Sequence, residues 1–548
     1  MFCDLVGSTA LSAQLDPEDL REVIRAYQQA CAEVITRFGG HLAKYLGDGL
    51  LVYFGYPVAH EDDAQRAART GLGIVSAIRE SPLLKVRLPN PIRVRIGIHT
   101  GLVVAGEMGG GDTREPLAIV GETPNIAARL QEIAAPDTVA ISTATYRLIQ
   151  GYFECQNLGP HTLKGVSTPL LVYRVLRESG ARSRFEVAMR TGLTPLVGRE
   201  EEVRLLQKHW ERVKDGEGQV VLLSGEAGIG KSRLEQELKE QVAREGHTRI
   251  EFHCSPYYQN TALYPVIEHL QRLLQFQRDD TPQIKLGKLG QVLAPYQFSQ
   301  ADTVPLLAAL FSLPHPDGYP PLAMSPQKQK QKTYEALIGW VLEDAEKAVV
   351  YCAWEDLHWA DPSTLEFLSL FIEQGPAARI LVLLTARPGF APPWGTRSFL
   401  NHITLGRLER SQVGEMVERL TGGKTLPAEV VRQVMQKTDG VPLFVEELTK
   451  MVLESGLLRE AKGHYELTGS LPHLAIPTTL HDSLMARLDR LAPVREVAQL
   501  GATLGREFSY ELIQAVSSPR GSSCSRPCRT LPSVPSKNSR CKPPWVLR

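Results

Sequence analysis

Two aspartates near the start of the chain are spaced for metal chemistry. Asp4 ends a short apolar run in Phe2-Cys3-Asp4-Leu5-Val6-Gly7-Ser8-Thr9, and Asp48 sits at the tip of Lys44-Tyr45-Leu46-Gly47-Asp48-Gly49. Apolar residues flank the Gly-Asp-Gly turn on both sides, which predicts a β-hairpin. An Asp-Gly pair by itself usually only punctuates the backbone. Two carboxylates brought together at strand ends form a hard-oxygen site suited to Mg²⁺ or Mn²⁺, and phosphate chemistry commonly uses two such ions. A second phosphate site lies further along. Gln219-Val220-Val221-Leu222-Leu223 reads as a buried strand running into Ser224-Gly225-Glu226-Ala227-Gly228-Ile229-Gly230-Lys231-Ser232, a GxxxxGKS loop between a strand and a helical stretch. Its glycines let backbone N–H groups close on phosphates, with Lys231 on the β and γ oxygens and Ser232 on Mg²⁺. An acidic strand end, Val349-Val350-Tyr351-Cys352-Ala353-Trp354-Glu355-Asp356, follows downstream. Behind such a loop, Glu355 reads as the Mg²⁺-associated acid and Asp356 as the base that activates water. Without the loop the pair would be a solvated turn.

The elements that must hold these residues alternate between helix and strand. Residues 16 to 38 read as a helix: Asp16-Pro17 starts it, Leu20, Val23, Ile24, Tyr27, Cys31, Val34 and Ile35 recur at helical spacing, and Gly39-Gly40 closes it. A second helix is expected from near Glu61 to Glu80, a strand over Ile92 to Ile98 and a helix over Pro124 to Ile133. Such interleaving predicts an α/β sandwich. Only three residues precede Asp4, whereas a strand usually has about five or six. The first metal ligand is therefore expected on a weakly anchored strand, with the true start of the protein upstream.

With 548 residues, the chain has room for about two to four domains. The 61 basic and 61 acidic residues cancel, so bulk charge argues for neither nucleic acid nor an anionic membrane as partner. No apolar run approaches the ~20 residues of a membrane span, and the start has no signal-peptide pattern. Eight cysteines without a CxxC pair form no disulfide framework or metal clip. These features predict a cytoplasmic, reduced protein.

The Asp4 stretch, the Asp48 hairpin, Arg95-Ile96-Gly97-Ile98-His99-Thr100-Gly101 and Val120-Gly121-Glu122-Thr123-Pro124-Asn125-Ile126-Ala127-Ala128-Arg129 occur in the order found in class III nucleotide cyclases. This resemblance implies a ferredoxin-like cyclase domain over residues 1–180. It also implies attack of a ribose 3′-oxygen on the α-phosphorus of a nucleotide. On that likeness Asp4 and Asp48 hold the metals with the Leu5 carbonyl, Asn125 orients the ribose, Arg129 meets charge on the α-phosphate, and Arg95 contacts phosphate. Lys44 matches the position where adenylate cyclases carry lysine and guanylate cyclases glutamate. A donor-only lysine suits the N1 acceptor of adenine, so ATP is the expected substrate. Two positions depart from the pattern. Ala118 stands where an acidic or hydroxyl side chain usually binds the exocyclic amine, and Val166 where a lysine grips the triphosphate, leaving Lys164 as the nearby phosphate contact. In the family the metal acids come from one subunit and the base lysine, Asn and Arg from the other. A two-fold homodimer with two composite sites is therefore implied.

The second half resembles signal-transduction ATPases of the AAA-related STAND type. The residues that carry the likeness are Leu196-Val197-Gly198-Arg199-Glu200, the P-loop, Ile380-Leu381-Val382-Leu383-Leu384-Thr385-Ala386-Arg387, and the GxP turn Gly440-Val441-Pro442-Leu443-Phe444. Arg387 is expected to read the γ-phosphate. The implied layout is a linker over 181–195, a P-loop ATPase domain with a parallel sheet over 196–395 and a helical lid over 396–460. A helical or winged-helix segment follows over 461–516, where Leu480, Leu484, Leu488 and Leu491 line one face. From Ser517 the last 32 residues contain no Asp or Glu and hold three of the eight cysteines, which predicts an aberrant, disordered tail. The combined expectation is an adenylate cyclase regulated by an attached ATPase. The alternative is a catalytically decayed cyclase fold serving as a dimerising nucleotide-binding module of an ATPase switch.

Overall fold

The computed structural model describes residues 1–469, apart from 13–14, 82–90, 109–114, 165–168, 182–183, 278–279, 298, 396 and 398. Val166, the leucine stripe from Leu480 and the tail from Ser517 lie outside the described residues. The chain divides into two compact units between Ser183 and Arg184.

In the first unit the strands are β1 (Phe2–Leu5), β2 (His41–Leu46), β3 (Gly49–Tyr53), β4 (Val94–Ile98), β5 (Val104–Met108), β6 (Glu115–Val120), β7 (Thr138–Ser142), β8 (Phe153–His161) and β9 (Leu170–Glu178). Seven of them form one sheet in the order β2-β3-β1-β4-β7-β9-β8, while β5 and β6 make a separate hairpin. Neighbours among the first four in this order are antiparallel, and the helices Pro17–Arg37 and Asp63–Glu80 connect them, which gives the ferredoxin-like βαββαβ arrangement. Although β1 has only four residues, it is held on both sides. Phe2 and Cys3 pair with Leu51 and Leu50 of β3, and Phe2 to Leu5 pair with Gly97 to Val94 of β4.

Side chains alternate across a strand, so neighbouring residues of β4 meet different layers. Ile96 and Val139 meet Gly71 of the helix Asp63–Glu80. Gly97 meets the helix Glu122–Ile133 on the other face. The same alternation sends Cys3 to Tyr27, 3.4 Å from Sγ to the hydroxyl. It leaves Asp4 with Arg95 and Gly97 on the opposite face. The helix stripe read from the sequence is the packed one, with Val23, Tyr27, Cys31, Val34 and Ile35 all buried.

In the second unit β10 (Gln219–Ser224), β11 (Thr248–His253), β12 (Val350–Glu355), β13 (Ile380–Ala386) and β14 (Leu400–Thr404) form an all-parallel sheet in the order β11-β12-β13-β10-β14. Helices cover both faces, as parallel strands with apolar side chains on both sides require. β13 therefore lies between the strand that feeds the P-loop and the strand that ends in Glu355. The loops after β10, β12 and β13 open at the same edge, where ligands of open α/β sheets bind. The sheet runs past residue 395, the expected end of the ATPase domain, because Val220 to Ser224 pair with Leu400 to Thr404. The helices Arg410–Leu420, Ala428–Thr438 and Pro442–Glu454 share their own core with the hairpin of β15 (Leu458–Ala461) and β16 (His464–Leu467). The stretch read as linker contains a helix, Arg184–Thr191, in which apolar residues outweigh the flanking Ser and Gly.

Gly97 offers a direct test of the layer it supports. A Cβ there would lie 2.2 Å from both the Ala127 carbonyl oxygen and the Gln131 nitrogen, which are backbone and cannot turn away. At Gly71 the nearest atom is a Val139 methyl at 3.0 Å, which can shift. Gly97→Ala should destabilise the first unit by about 3 kcal/mol or more, whereas at Gly71 the helix-propensity gain of about 1 kcal/mol offsets the shift of Val139 and leaves Gly71→Ala close to neutral. Urea midpoints of the two variants check the order, and equal costs would contradict the close helix–strand approach.

Candidate nucleotide sites

The first site sits where β1 ends beside the β2–β3 turn. A Cβ at Gly49 would stand 3.3 Å from Asp4 Oδ1, so the turn lies close against the carboxylate. Gly47, with φ of 68°, takes the left-handed conformation that tightens the turn. Burial pushes the Asp4 carboxyl above its ordinary range, and Asp48 pushes it further in the same direction. The Leu5 backbone N–H, the Arg95 guanidinium and the Gln131 amide pull the other way. Gln131 Nε2 donates to Asp4 Oδ2 at 3.4 Å. Arg95 is the register partner of Asp4 on β4, and its buried Nε has no hydrogen-bond acceptor.

Asn125 and Arg129 lie on the helix Glu122–Ile133, the helix that carries Gln131, but they face elsewhere. Successive helical residues are separated by about 100°. Ala127, Leu130 and Ala134 therefore share the buried side, and Asn125, Arg129 and Glu132 share the opposite side. Arg129 approaches Glu132 at 3.8 Å. Beside the start of this helix, Leu102, Val104 and Val120 expose 88%, 68% and 49% of their surface. Thr123 Oγ1 donates to the Leu102 carbonyl at 2.9 Å and ties the two regions together. Lys44 is exposed on β2, opposite Leu51 and just past a bulge. Ala118 is buried on β6, and Lys164 is exposed in a turn. The first unit thus brings Asp4, Asp48 and Arg95 together and turns Asn125 and Arg129 outward.

The second site follows β10. Gly228 and Gly230 take φ of 76° and 105°, which bends the loop into the helix Lys231–Arg244. Lys231 is buried, and its Nζ donates to the Gly225 and Glu226 carbonyls at 2.8 and 3.1 Å. Ser232 stands in the first turn of that helix. Asp356 follows β12 in a left-handed conformation, φ 57°, and its N–H donates to Thr385 Oγ1 at 2.9 Å. Burial raises the Asp356 carboxyl pKa, while His253, Lys231 and Arg387 oppose that shift. Arg387 stacks over Trp359, its guanidinium carbon 5.0 Å from the ring centre. Glu355 is held differently, with Oε1 accepting from Lys239 Nζ at 3.1 Å. Asp356 is thus the acid seated among the cations of the P-loop edge, and Glu355 belongs to a lysine-centred cluster under the loop. Lys239 also meets Glu235 at 2.8 Å and Glu251 at 3.2 Å.

Residues 1–176 match the family described as the adenylate and guanylate cyclase catalytic domain, and residues 195–383 match the AAA ATPase domain. The chain joins a class III cyclase domain to an AAA ATPase domain. An uncharacterized protein of Rhizobium meliloti is 29% identical over 94% of this chain and 49% of its own length. Adenylate cyclase 1 of the same organism is 29% identical over 32% of this chain and 27% of its own. The chain thus spans about half the length of the first relative and less of the second. The crystal structure of the adenylyl cyclase CyaB from P. aeruginosa aligns at 30% identity with a TM-score of 0.31, covering 33% of this chain and 93% of that one.

Cyclase domains of this family use a nucleotide and divalent metal ions. The cyclase site here fits such an ion, because two carboxylates repel each other and a cation would relieve both. Among the described residues no cluster of three or more His, Cys, Asp or Glu is placed to hold a metal. An ion at Asp4 and Asp48 would therefore complete its shell with backbone carbonyl, water and phosphate oxygens, the usual pattern for Mg²⁺. Also among the described residues, no helix is long and apolar enough to cross a membrane. Sequence reasoning missed Gln131, His253 and Lys239. Gln131 lies six positions past Asn125, and only the docking of the helix at Gly97 brings it to Asp4.

The ATPase cluster carries a pH signature. Glu235 is fully buried, its Oε1 accepts from Lys239 and from the Tyr351 hydroxyl, and its Oε2 has no partner. Burial, then repulsion from Glu355, pushes its carboxyl up to about 8 despite Lys239. A raised carboxyl pKa means that stability is full below the unfolded value and falls as pH rises through the folded one. Glu235→Gln has no proton to lose. Its stability relative to wild type should rise by a few kcal/mol between about pH 4.5 and 8, then level off. Urea unfolding of both proteins at pH 5, 7 and 9 measures the difference, and a constant offset would contradict the assignment.

Proposed function

We propose that the protein is an adenylate cyclase, converting ATP to 3′,5′-cyclic AMP and pyrophosphate, with an attached STAND-type ATPase that sets its output. The observation that carries this reading is the seating of Asp4 against Asp48, with Arg95 alongside. Bound at these carboxylates and the Leu5 carbonyl, Mg²⁺ or Mn²⁺ would supply charge neutralisation for the phosphates and the attacking oxygen. Arg95 offers its guanidinium charge to a phosphate oxygen. Lys44 donates to adenine N1, and Lys164 lies near the phosphate end. Asn125 orients the ribose, and Arg129 meets the negative charge that grows on the α-phosphate.

Asn125 and Arg129 turn away from the core of their own unit, so a second copy of the domain must receive them. The exposed Leu102, Val104 and Val120 beside that face suit a two-fold contact. In the ATPase, the P-loop residues 225–232 would take the phosphates. Asp356 and Arg387 would address the γ-phosphate end, and Glu355 would reach a metal at Ser232 in competition with Lys239. On this reading the protein works in the cytoplasm. One observation favours the second reading, a nucleotide-binding module without turnover: the buried Ala118 has no side-chain acceptor for the exocyclic amine of the base.

Separating cyclic AMP from ADP after incubation with ATP and Mg²⁺ or Mn²⁺ tests both active sites at once. Asp48→Ala should lower cyclic AMP formation by about 10³-fold or more and leave ADP formation intact. Absence of cyclic AMP from the wild type would select the non-catalytic reading.

Shared sites have a second signature. Asp48→Ala and Arg129→Ala homodimers should each be nearly inactive. Mixed and allowed to exchange, half of the dimers pair the two variants, and each such dimer keeps one intact site. Activity should recover to roughly a quarter of wild type. No recovery, with exchange shown by a tagged pull-down, would place all the working residues in one copy.

A further inference from the structure

The segment that follows β14 stitches the P-loop to the helices beyond it. Leu405 N–H donates to the Ser224 carbonyl at 2.8 Å, and Arg199 Nη2 donates to the Gly406 carbonyl at 2.6 Å and to the Ile229 carbonyl at 3.3 Å. Arg407 comes next. Its Nη2 donates to both carboxylate oxygens of Glu226, at 3.0 and 3.2 Å, and Glu226 is the second residue of the P-loop. Its Nη1 donates to Asp439 Oδ2. Leu408 N–H then donates to the Gly440 carbonyl at 2.8 Å.

Asp439 and Gly440 are the turn between the helices Ala428–Thr438 and Pro442–Glu454, and both take positive φ, 50° and 73°. A Cβ at Gly440 would lie 2.4 Å from the Leu408 carbonyl oxygen, so the turn is pressed onto the segment that follows β14. On its far side the Leu443 N–H, in the first turn of Pro442–Glu454, donates to the Gly228 carbonyl at 3.2 Å. One guanidinium therefore bridges an acid of the phosphate loop and an acid of the helical segment.

That placement has an electrostatic consequence. Glu226 puts a negative charge on the loop whose N–H groups would receive a polyphosphate. Arg407 offsets that charge, and a nucleotide entering the loop changes the field that Arg407 divides between Glu226 and Asp439. We infer that Arg407 is a positioning residue that neutralises Glu226 for nucleotide binding and transmits occupancy of the P-loop to the helix Pro442–Glu454. This rests on the reading of residues 225–232 as a nucleotide site, and it goes beyond that reading in naming the link to the helices.

The test uses the full-length protein, Mg²⁺ and ATP, with affinity from titration calorimetry, the Lys231→Ala protein serving as the blank that separates the P-loop from the cyclase site, and hydrogen exchange of residues 442–454 with and without ATP. Glu226 and Arg407 are partly exposed and Asp439 is exposed, and Glu226→Gln and Asp439→Asn are close to isosteric. Arg407→Met should weaken ATP binding about tenfold, because Glu226 loses the guanidinium that pairs with both its oxygens, and adding Glu226→Gln to it should restore affinity to within about threefold of Glu226→Gln alone. Asp439→Asn should bind ATP within about threefold of wild type while losing most of the ATP-induced change in exchange. Three results would each overturn the inference while leaving the nucleotide site standing. They are wild-type ATP affinity in Arg407→Met, a loss that Glu226→Gln does not relieve, and a full exchange response in Asp439→Asn. Failure of the wild type to bind ATP at the P-loop would overturn both. No cyclase measurement enters, so control of the cyclase is a separate question.

Discussion

The cyclase domain depends on one close approach of backbone to backbone. Gly97 has no side chain, so the helix Glu122–Ile133 rests its Ala127 carbonyl and Gln131 N–H directly on β4. That contact fixes the rotation of the helix. Gln131 is carried to Asp4, and Asn125 and Arg129, on the far side of the same cylinder, are carried outward. The surroundings of Asp4 and the outward turn of Asn125 and Arg129 are thus two results of one packing decision. The register of β1 on β4 completes it by setting Arg95 opposite Asp4.

The ATPase domain shows the same economy with polar contacts. A parallel sheet brings the ends of β10, β12 and β13 to one edge, but side-chain direction there is set residue by residue. Glu355 and Asp356 are adjacent in sequence and serve different neighbourhoods, because Asp356 breaks from the strand into a left-handed conformation and Glu355 does not. The buried Glu235, with an unpartnered oxygen beneath the P-loop helix, is a costly group to retain. It is tolerated because Lys239 and Tyr351 satisfy its other oxygen.

Much of this was legible in the chain itself, for local reasons. The Asp48 hairpin and the P-loop are turn and glycine chemistry, written within a few residues, and the stripe from Val23 to Ile35 is a helical period. What was not legible depends on contacts between distant segments. Gln131 reaches Asp4, and Arg407 reaches Glu226 and Asp439, across separations that no local pattern encodes. The extent of the sheet was hidden for the same reason. Leu400–Thr404 is a short, partly polar strand, and only its pairing with β10 makes it one. The short β1 shows the reverse case. It looked poorly anchored in sequence, yet it lies inside the sheet with a partner on each side.

The outward turn of Asn125 and Arg129 bears on abundance as well as on architecture. On the proposed reading, a solitary chain holds a half-finished workplace. Below the concentration at which copies meet, output would fall with the square of the amount present, and above it output would become proportional. Cells could then silence the enzyme simply by making little of it or by spreading it thinly, without any inhibitor.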